Sequence, residues 1–271
     1  MLIRYVRGIR EQREASRSLF GTLRLEQRKE EDVRSDEEGM KSKMSANTNM
    51  IYNYREAVEL IRQVGILPLA NLAPHHPSLA GVTEESAWHS DTDADPWRWR
   101  VQFPGDGVAA YGKFIKKKGV FISMEWVPIV RSVLGDTRSV KERYAAGEMS
   151  PEAKLLYGII VEHPGIDTRL LRVKADMKSP DQKKAFDNAL NELQGTMDIV
   201  ISGVTERRNS AGEVNGWNST SYETIDHWLE NLGIETSMIS VQDAKEQLYE
   251  RLARSTTSEA VTYFNKILKL R

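Results

Sequence analysis

Residues 97–118 interleave aromatic and cationic side chains, the combination of groups that binds nucleic acids. The six cations are Arg98, Arg100, Lys113, Lys116, Lys117 and Lys118, against the single anion Asp106, a local excess of five positive charges. The aromatic residues among them are Trp97, Trp99, Phe103, Tyr111 and Phe114. Because cations bind phosphates and flat rings stack on unpaired bases, this segment is a candidate nucleic-acid surface.

An aromatic core with charged edges is the alternative interpretation of the same segment. The run Val101–Phe103 is typical of a strand. If the strand includes the residues before it, Trp97 and Trp99 lie on one face, and Arg98 and Arg100 lie on the other. We therefore expect a strand here, with buried tryptophans and with cations at the surface.

A second candidate site lies in a helix predicted between Ser179 and Gly195. Its inner face consists of Phe186, Leu190 and Leu193, and the opposite face carries Lys184, Asn188 and Asn191. Asparagine can read adenine edges, and lysine can bind phosphate or guanine. Arg207 and Arg208 follow at the tip of a predicted two-stranded ribbon. From residue 178 to residue 208, however, five cations meet five anions, which is a weaker charge bias than specific DNA binders have.

The elements around this helix follow the order of a winged helix-turn-helix. Ser150-Pro151 begins one helix, and Asp167 or Thr168 caps a second. After the third helix, MDIVISGV and WNSTSYETI predict the ribbon, and further helices follow around residues 225–232, 241–254 and 257–268. In such a domain the third helix can enter the DNA major groove and the ribbon can contact the backbone. We predict an α+β fold with a winged helix-turn-helix and C-terminal helices.

Composition limits the classes of function. The 271 residues contain 38 Lys and Arg against 39 Asp and Glu, so DNA binding requires a local concentration of cations. Cysteine is absent, which excludes disulfides, thiolate metal ligands and a cysteine nucleophile. Neither a signal peptide nor a membrane-spanning run is found, and we expect a cytoplasmic protein with no membrane partner.

Composition also divides the chain into four parts. Residues 1–49 are highly charged and contain too few apolar side chains to form a core, so we expect a disordered extension. An N-terminal α/β part with an aromatic-basic β segment is predicted over residues 50–149. The winged helix-turn-helix follows over residues 150–224, and the C-terminal helices over residues 225–271.

Signs of metal or cofactor chemistry are weak. His89–Asp95 alternates possible oxygen ligands, but Pro96 occupies the position where a calcium loop needs glycine. His75 and His76 lack a third ligand, and GDGVAA follows Pro104 without repeated βαβ units around it. We expect no metal and no cofactor.

Five segments together carry a family resemblance: LIRQVGILPLA, YGKFIKKKGVFISMEWVP, PGIDTRLLR, AFDNALNELQ and IVISG. They resemble the AlkZ/YcaQ-like winged-helix superfamily, and most closely its short bacterial AlkZ-related members, over residues 50–271. The resemblance implies a winged-helix fold and double-stranded DNA as a partner. The full-length glycosylases of this superfamily excise alkylated or crosslinked bases, and their catalytic element is a Gln–apolar–Gln motif after a helix that ends in a Val-Gly-Leu-like sequence.

The matching stretch of this chain is Val64–Leu69, where Leu67 and Leu69 occupy the two glutamine positions. A leucine can neither orient a water molecule nor hydrogen-bond a substrate. The resemblance therefore implies a DNA-binding protein that lacks the usual catalytic pair. Two alternatives remain open: an active glycosylase that uses another residue, with Glu125 and Asp95 as the candidate carboxylates, and a winged-helix module that binds proteins.

Overall fold

The structure, a computed structural model, describes residues 50–206, 218–234 and 239–271. All of them belong to the unit Ala46–Arg271. The extension predicted for residues 1–49 lies outside the described residues. Helices combined with two small antiparallel sheets confirm the predicted α+β class. In the part of the chain that is described, no helix has the length and apolarity to cross a membrane.

The first helix leads directly into the first strand. α1 (Tyr54–Val64) begins after the N-cap Asn53 and ends at Gly65, as its apolar periodicity predicts. The φ of Gly65 is +70°, and the indole ring of Trp126 fills the space that a Cβ would take. Only glycine fits both conditions, and the chain therefore turns within one residue into β1 (Ile66–Pro68).

The first sheet has the strand order β1-β3-β2, with β2 at Ala109–Ile115 and β3 at Lys118–Ser123, and both pairings are antiparallel. Side chains that alternate along the strands enter two core clusters: Leu67, Ala109, Tyr111 and Phe121 on one face, and Ile66, Ala110, Val120 and Ile122 on the other. The sheet is therefore a layer with apolar packing on both faces.

The strand predicted at Val101–Phe103 is wrong, because Pro96–Gly105 form a helix, α2. Asp95 caps the helix, and a proline in the first turn fits a position whose amide has no partner within the helix. The helical period places Trp99 and Phe103 on one side, where they are 1% and 0% exposed. The cap and the proline outweigh the short β-like run.

Two short helices, α3 (Val127–Leu134) and α4 (Val140–Ala145), connect this region to the next group of elements. That group contains the helices α5 (Pro151–Glu162), α6 (Thr168–Lys174) and α7 (Lys183–Gly195) and the strands β4 (Ile166–Asp167), β5 (Ile199–Thr205) and β6 (Ser219–Thr224). The second sheet has the order β4-β6-β5, and both of its pairings are antiparallel.

Three helices complete the described chain: α8 (Ile225–Asn231), α9 (Val241–Ser255) and α10 (Ser258–Leu268). They lie close to the helices predicted at the C-terminal end. Their buried side chains, among them Trp228, Leu248 and Phe264, join the cluster that contains Ile122. The C-terminal helices therefore share one core cluster with the second face of the first sheet, and α9 packs against α3.

The other core cluster joins the two halves of the chain. It contains Trp99 and Phe121 from the first half, and Leu156, Leu193 and Tyr222 from the second. Accordingly, α7 packs against β2, and α2 packs against β5. This packing places α2, the β2–β3 hairpin and α7 next to one another.

Candidate functional site

Asp95 closes the loop that precedes α2. It is 1% exposed, and its carboxylate accepts hydrogen bonds from the backbone amides of His89 at 3.0 Å, Asp91 at 3.3 Å and Trp97 at 2.8 Å. An aspartate at an N-cap satisfies amide donors that the helix itself leaves without partners. These contacts favour a capping role for Asp95 over a catalytic one.

Glu125, the other carboxylate candidate, is exposed on a 3₁₀ turn at Met124–Trp126. The contact that the structure gives this residue is made by its backbone, whose carbonyl accepts a hydrogen bond from Arg251 at 3.3 Å. A general acid or base in a glycosylase works in a pocket that excludes water. The exposure of Glu125 therefore does not favour it for that role.

His76 is a structural histidine. The Nε2–H donates to the carbonyl of Ile66 at 2.7 Å, and Nδ1 accepts from the hydroxyl of Thr256 at 2.8 Å. Burial lowers the pKa of His76 and keeps the ring neutral. Both nitrogens are thus occupied. Within residues 50–206, 218–234 and 239–271, no group of three or more His, Asp or Glu side chains is arranged to hold a metal ion.

The two arginines of α2 differ in their surroundings. Arg98 points into the preceding loop, where it donates to the carbonyl of Asp91 at 3.1 Å and lies 3.7 Å from the carboxylate of Asp93. Arg100 instead stacks on Trp97, with its guanidinium carbon 3.5 Å from the ring centre. The carboxylate of Asp93 therefore partly neutralises the charge of Arg98, whereas the ring of Trp97 restricts the guanidinium of Arg100.

The lysines of the opening segment lie on the β2–β3 hairpin. Lys113 is exposed on β2, and Lys116, Lys117 and Lys118 are exposed at the tip. Ile115 pairs with Lys118, so Lys116 and Lys117 form a two-residue turn, and their φ values are 52° and 58°. Positive φ at both central residues is the geometry of a type I′ turn, which favours Asn-Gly. Two lysines in this conformation are strained, and together with Lys118 they place three positive charges at the tip.

Replacing Lys116 with Asn and Lys117 with Gly should therefore stabilise the fold. A left-handed conformation costs a non-glycine residue about 1–2 kcal/mol, and part of the gain is lost to the greater freedom of glycine in the unfolded chain. We expect the free energy of unfolding to rise by about 1 kcal/mol in urea denaturation. The matched control, Lys116→Ala with Lys117→Ala, removes the same charges but keeps the strain. Equal stability of the two double variants would contradict this explanation.

The predicted face of α7 is largely accessible. Lys184 and Asn188 are exposed, and Asn191 is half-buried. The buried stripe consists of Phe186, Leu190 and Leu193, as the sequence predicts. Arg207 and Arg208 lie outside the described residues.

A buried glutamine ties α7 to the hairpin. The side chain of Gln194 accepts a hydrogen bond from the backbone amide of Lys113 at 2.9 Å and donates to the carbonyl of Leu190 at 3.0 Å. Because Gln194 is 1% exposed, this contact lies inside the packing between α7 and β2. The structure therefore brings Lys113 next to the helix that carries Lys184 and Asn188.

Leu67 and Leu69 lie at the strand that follows α1. Leu67 is completely buried and pairs with Phe121 of β3. Leu69 is half-buried against the same core cluster, and its amide donates to the carbonyl of Gly119 at 2.9 Å. Both side chains pack in the apolar interior and contribute no polar group to a substrate.

One residue of the site was missed in the sequence. The sequence places Tyr111 among the interleaved aromatic residues but does not indicate that its hydroxyl lies near Arg100. Burial raises the pKa of Tyr111, and the charge and hydrogen bond of Arg100 oppose this rise. The phenol therefore lies close to the guanidinium. This proximity depends on the packing of α2 against β2, which no local spacing indicates.

Comparison with known proteins identifies a family. A family model described as "AlkZ related" matches residues 51–269. The comparisons with curated proteins and with solved structures return no match. The matched range includes all the helices and strands named above.

Proposed function

The chain belongs to the AlkZ-related family, and from this premise we propose that it is a DNA-binding winged-helix protein, related to the AlkZ-type glycosylases, that lacks their catalytic glutamine pair. The observation that carries the proposal is the basic β2–β3 hairpin, whose strand β2 is hydrogen-bonded to α7 through Gln194. The family supplies the link to DNA repair, and the hairpin and α7 supply the surface.

The element order supports a winged helix-turn-helix. Three helices, α5 to α7, are followed by the antiparallel pair β5–β6, and the short strand β4 between α5 and α6 pairs with β6. In this fold α7 is the helix that enters the major groove, and the strands β5 and β6 form the wing. Lys184 and Asn188 on the exposed face of α7 are then the residues that contact DNA from this helix.

Binding of the DNA backbone rests on the hairpin and α2. The cations concerned are Arg98, Arg100, Lys113, Lys116, Lys117 and Lys118. Four of them are the exposed lysines of the hairpin, and their charges suit phosphate groups, which are recognised without reference to base sequence. The whole chain has a formal net charge of −1 and does not attract DNA by its overall charge. The local group of cations supplies the positive potential that attracts DNA.

The expected absence of base excision rests on the two leucines at and just after β1. If Leu67 and Leu69 hold the positions of the glutamine pair, the usual route has no group to orient water at the glycosidic bond. We expect the full chain to bind a methylated or crosslinked duplex without releasing a base. A binding assay and an alkali-cleavage assay for abasic sites on the same labelled duplex test both statements.

Base release by the wild-type chain would contradict the loss of catalysis. In that case Glu125→Gln and Asp95→Asn would identify the responsible group. Asparagine caps a helix about as well as aspartate, so the second variant removes the charge and keeps the fold.

Protein binding is the second candidate function, and exposed apolar side chains favour it. Leu155 and Val161 on α5, and Leu170 and Val173 on α6, are 46–51% exposed. Exposed apolar residues of this size, where they form a patch, mark sites of protein interaction. A protein that uses these residues and not the lysines would show no affinity for DNA at low salt.

A further inference from the structure

Arg100 differs from the other candidate cations because its guanidinium is held in place. Its carbon atom lies 3.5 Å from the centre of the Trp97 ring, and its charge lies close enough to the hydroxyl of Tyr111 to oppose the rise of the phenol's pKa. Its Nε is buried and has no hydrogen-bond partner among the described residues. By contrast, the lysines of the hairpin tip are exposed on flexible side chains. The stacking on Trp97 therefore restricts the guanidinium and pre-organises it for a ligand.

The indole of Trp97, on which Arg100 stacks, is itself restricted by neighbouring rings. Trp97 and Arg100 are three residues apart on α2, the spacing at which side chains meet on a helix. The imidazole of His89 lies 4.7 Å from the Trp97 ring, and the ring of Trp88 lies 6.5 Å away. These rings restrict Trp97, and Trp97 in turn restricts the guanidinium that stacks on it.

A second cation lies on the strand that carries Tyr111. Lys113 follows Tyr111 by two residues on β2, the strand against which α2 packs. Tyr111 is buried at the point where Arg100 reaches it, and Lys113 is exposed. Arg100 thus supplies a restricted, planar cation, and Lys113 on the adjoining strand supplies a mobile point charge.

We propose that Arg100 binds one phosphodiester group of DNA through both terminal nitrogens, with Trp97 and Tyr111 as positioning residues and Lys113 as a neighbouring charge. A planar guanidinium matches two oxygens of one phosphate, and such charge-assisted pairs are stronger than single contacts. The same fork also fits the O6 and N7 atoms of guanine. The phosphate is favoured because Arg100 lies on α2, outside the helix that enters the major groove in the proposed fold. This inference rests on the proposed DNA binding.

Arg100→Lys is the decisive variant, because it keeps the charge and removes the fork and the stacking plane. We expect about a tenfold loss of affinity for duplex DNA with nearly unchanged dependence on salt. The matched control is Arg254→Lys, an exposed arginine on α9, outside the elements of the proposed surface, which should bind like the wild type. Thermal unfolding of both variants checks that the fold is intact.

Trp97 tests the positioning role separately. Trp97→Leu should lower the affinity several-fold because Arg100 loses its aromatic plane, whereas Trp97→Phe should restore most of it. Tyr111→Phe keeps the buried ring and removes the hydroxyl, and it should give a smaller loss. A Trp97→Leu protein that is folded and binds like the wild type would overturn the role of Trp97.

The outcomes separate the inference from the proposed function. Wild-type binding with an Arg100→Lys variant of equal affinity overturns the phosphate fork and leaves DNA binding intact. A defect of Arg100→Lys that appears on duplexes with G·C pairs and not on A·T-only duplexes overturns the phosphate assignment in favour of base recognition. Absence of wild-type binding overturns the proposed function itself, and with it the inference.

Discussion

Replacing Trp99 with alanine should lower the free energy of unfolding by about 3–5 kcal/mol. The indole is 1% exposed and belongs to the core cluster shared by the two halves of the chain. Its Nε1–H also donates to the carbonyl of Asp93 at 2.8 Å, so the substitution leaves that carbonyl without this donor. Urea denaturation followed by circular dichroism measures the change, since the remaining tryptophans complicate fluorescence.

Trp97→Ala is the matched control for this prediction. Trp97 is half-buried at the surface of α2, and its loss should cost about 1–2 kcal/mol, less than the loss of Trp99. Equal destabilisation by the two substitutions would mean that the helical assignment of residues 96–105 gives the wrong inward face.

Replacing Lys116, Lys117 and Lys118 with alanine should produce the largest effect on DNA binding. Each lost phosphate contact lowers the log–log dependence of affinity on salt by about 0.9, so three contacts lower it by about 2.7. At moderate salt the affinity should fall at least about tenfold, and by the same factor for every DNA sequence. Fluorescence anisotropy over a series of salt concentrations measures both quantities.

A charge-matched control distinguishes the hairpin from general electrostatics. Lys141, Lys266 and Lys269 are exposed on α4 and near the end of the chain, and their replacement by alanine removes the same three charges. We expect this variant to keep most of the salt dependence. Equal losses in both triple variants would show that the net charge of the chain, and not the hairpin, determines binding.

The sequence predicted the fold best where local rules and tertiary packing agree. The Ser150-Pro151 start and the stripe Phe186, Leu190 and Leu193 mark α5 and α7 as the structure has them. At α2 the rules conflicted. The run Val101–Phe103 has β-type residues, whereas Asp95 and Pro96 enter the sequence analysis as parts of a metal loop, and Asp95 also as a catalytic candidate, but not as the start of a helix. Assigning Asp95 as an N-cap would have predicted the helix.

The sequence predicted which residues belong to the candidate site but not the contacts between them. The cations were found because charge can be counted along the chain. The stack of Arg100 on Trp97 depends on the helical spacing of three residues, which the strand prediction removed. The proximity of Arg100 to Tyr111 and the hydrogen bond from Lys113 to Gln194 join elements distant in sequence. Nothing in Lys116-Lys117 indicates a turn with positive φ, because the residues that favour such a turn are absent.

The affinity of the full wild-type chain for an undamaged DNA duplex, measured by anisotropy as salt is raised from a low concentration, tests the central claim most directly. The account predicts clear binding at low salt that weakens linearly on log–log axes, with a slope of about 0.9 for each phosphate contact. It also predicts little dependence on base sequence for the contribution of the hairpin. Affinity that is unmeasurable even at the lowest salt, or that does not change with salt, would contradict the account and favour the protein-binding function.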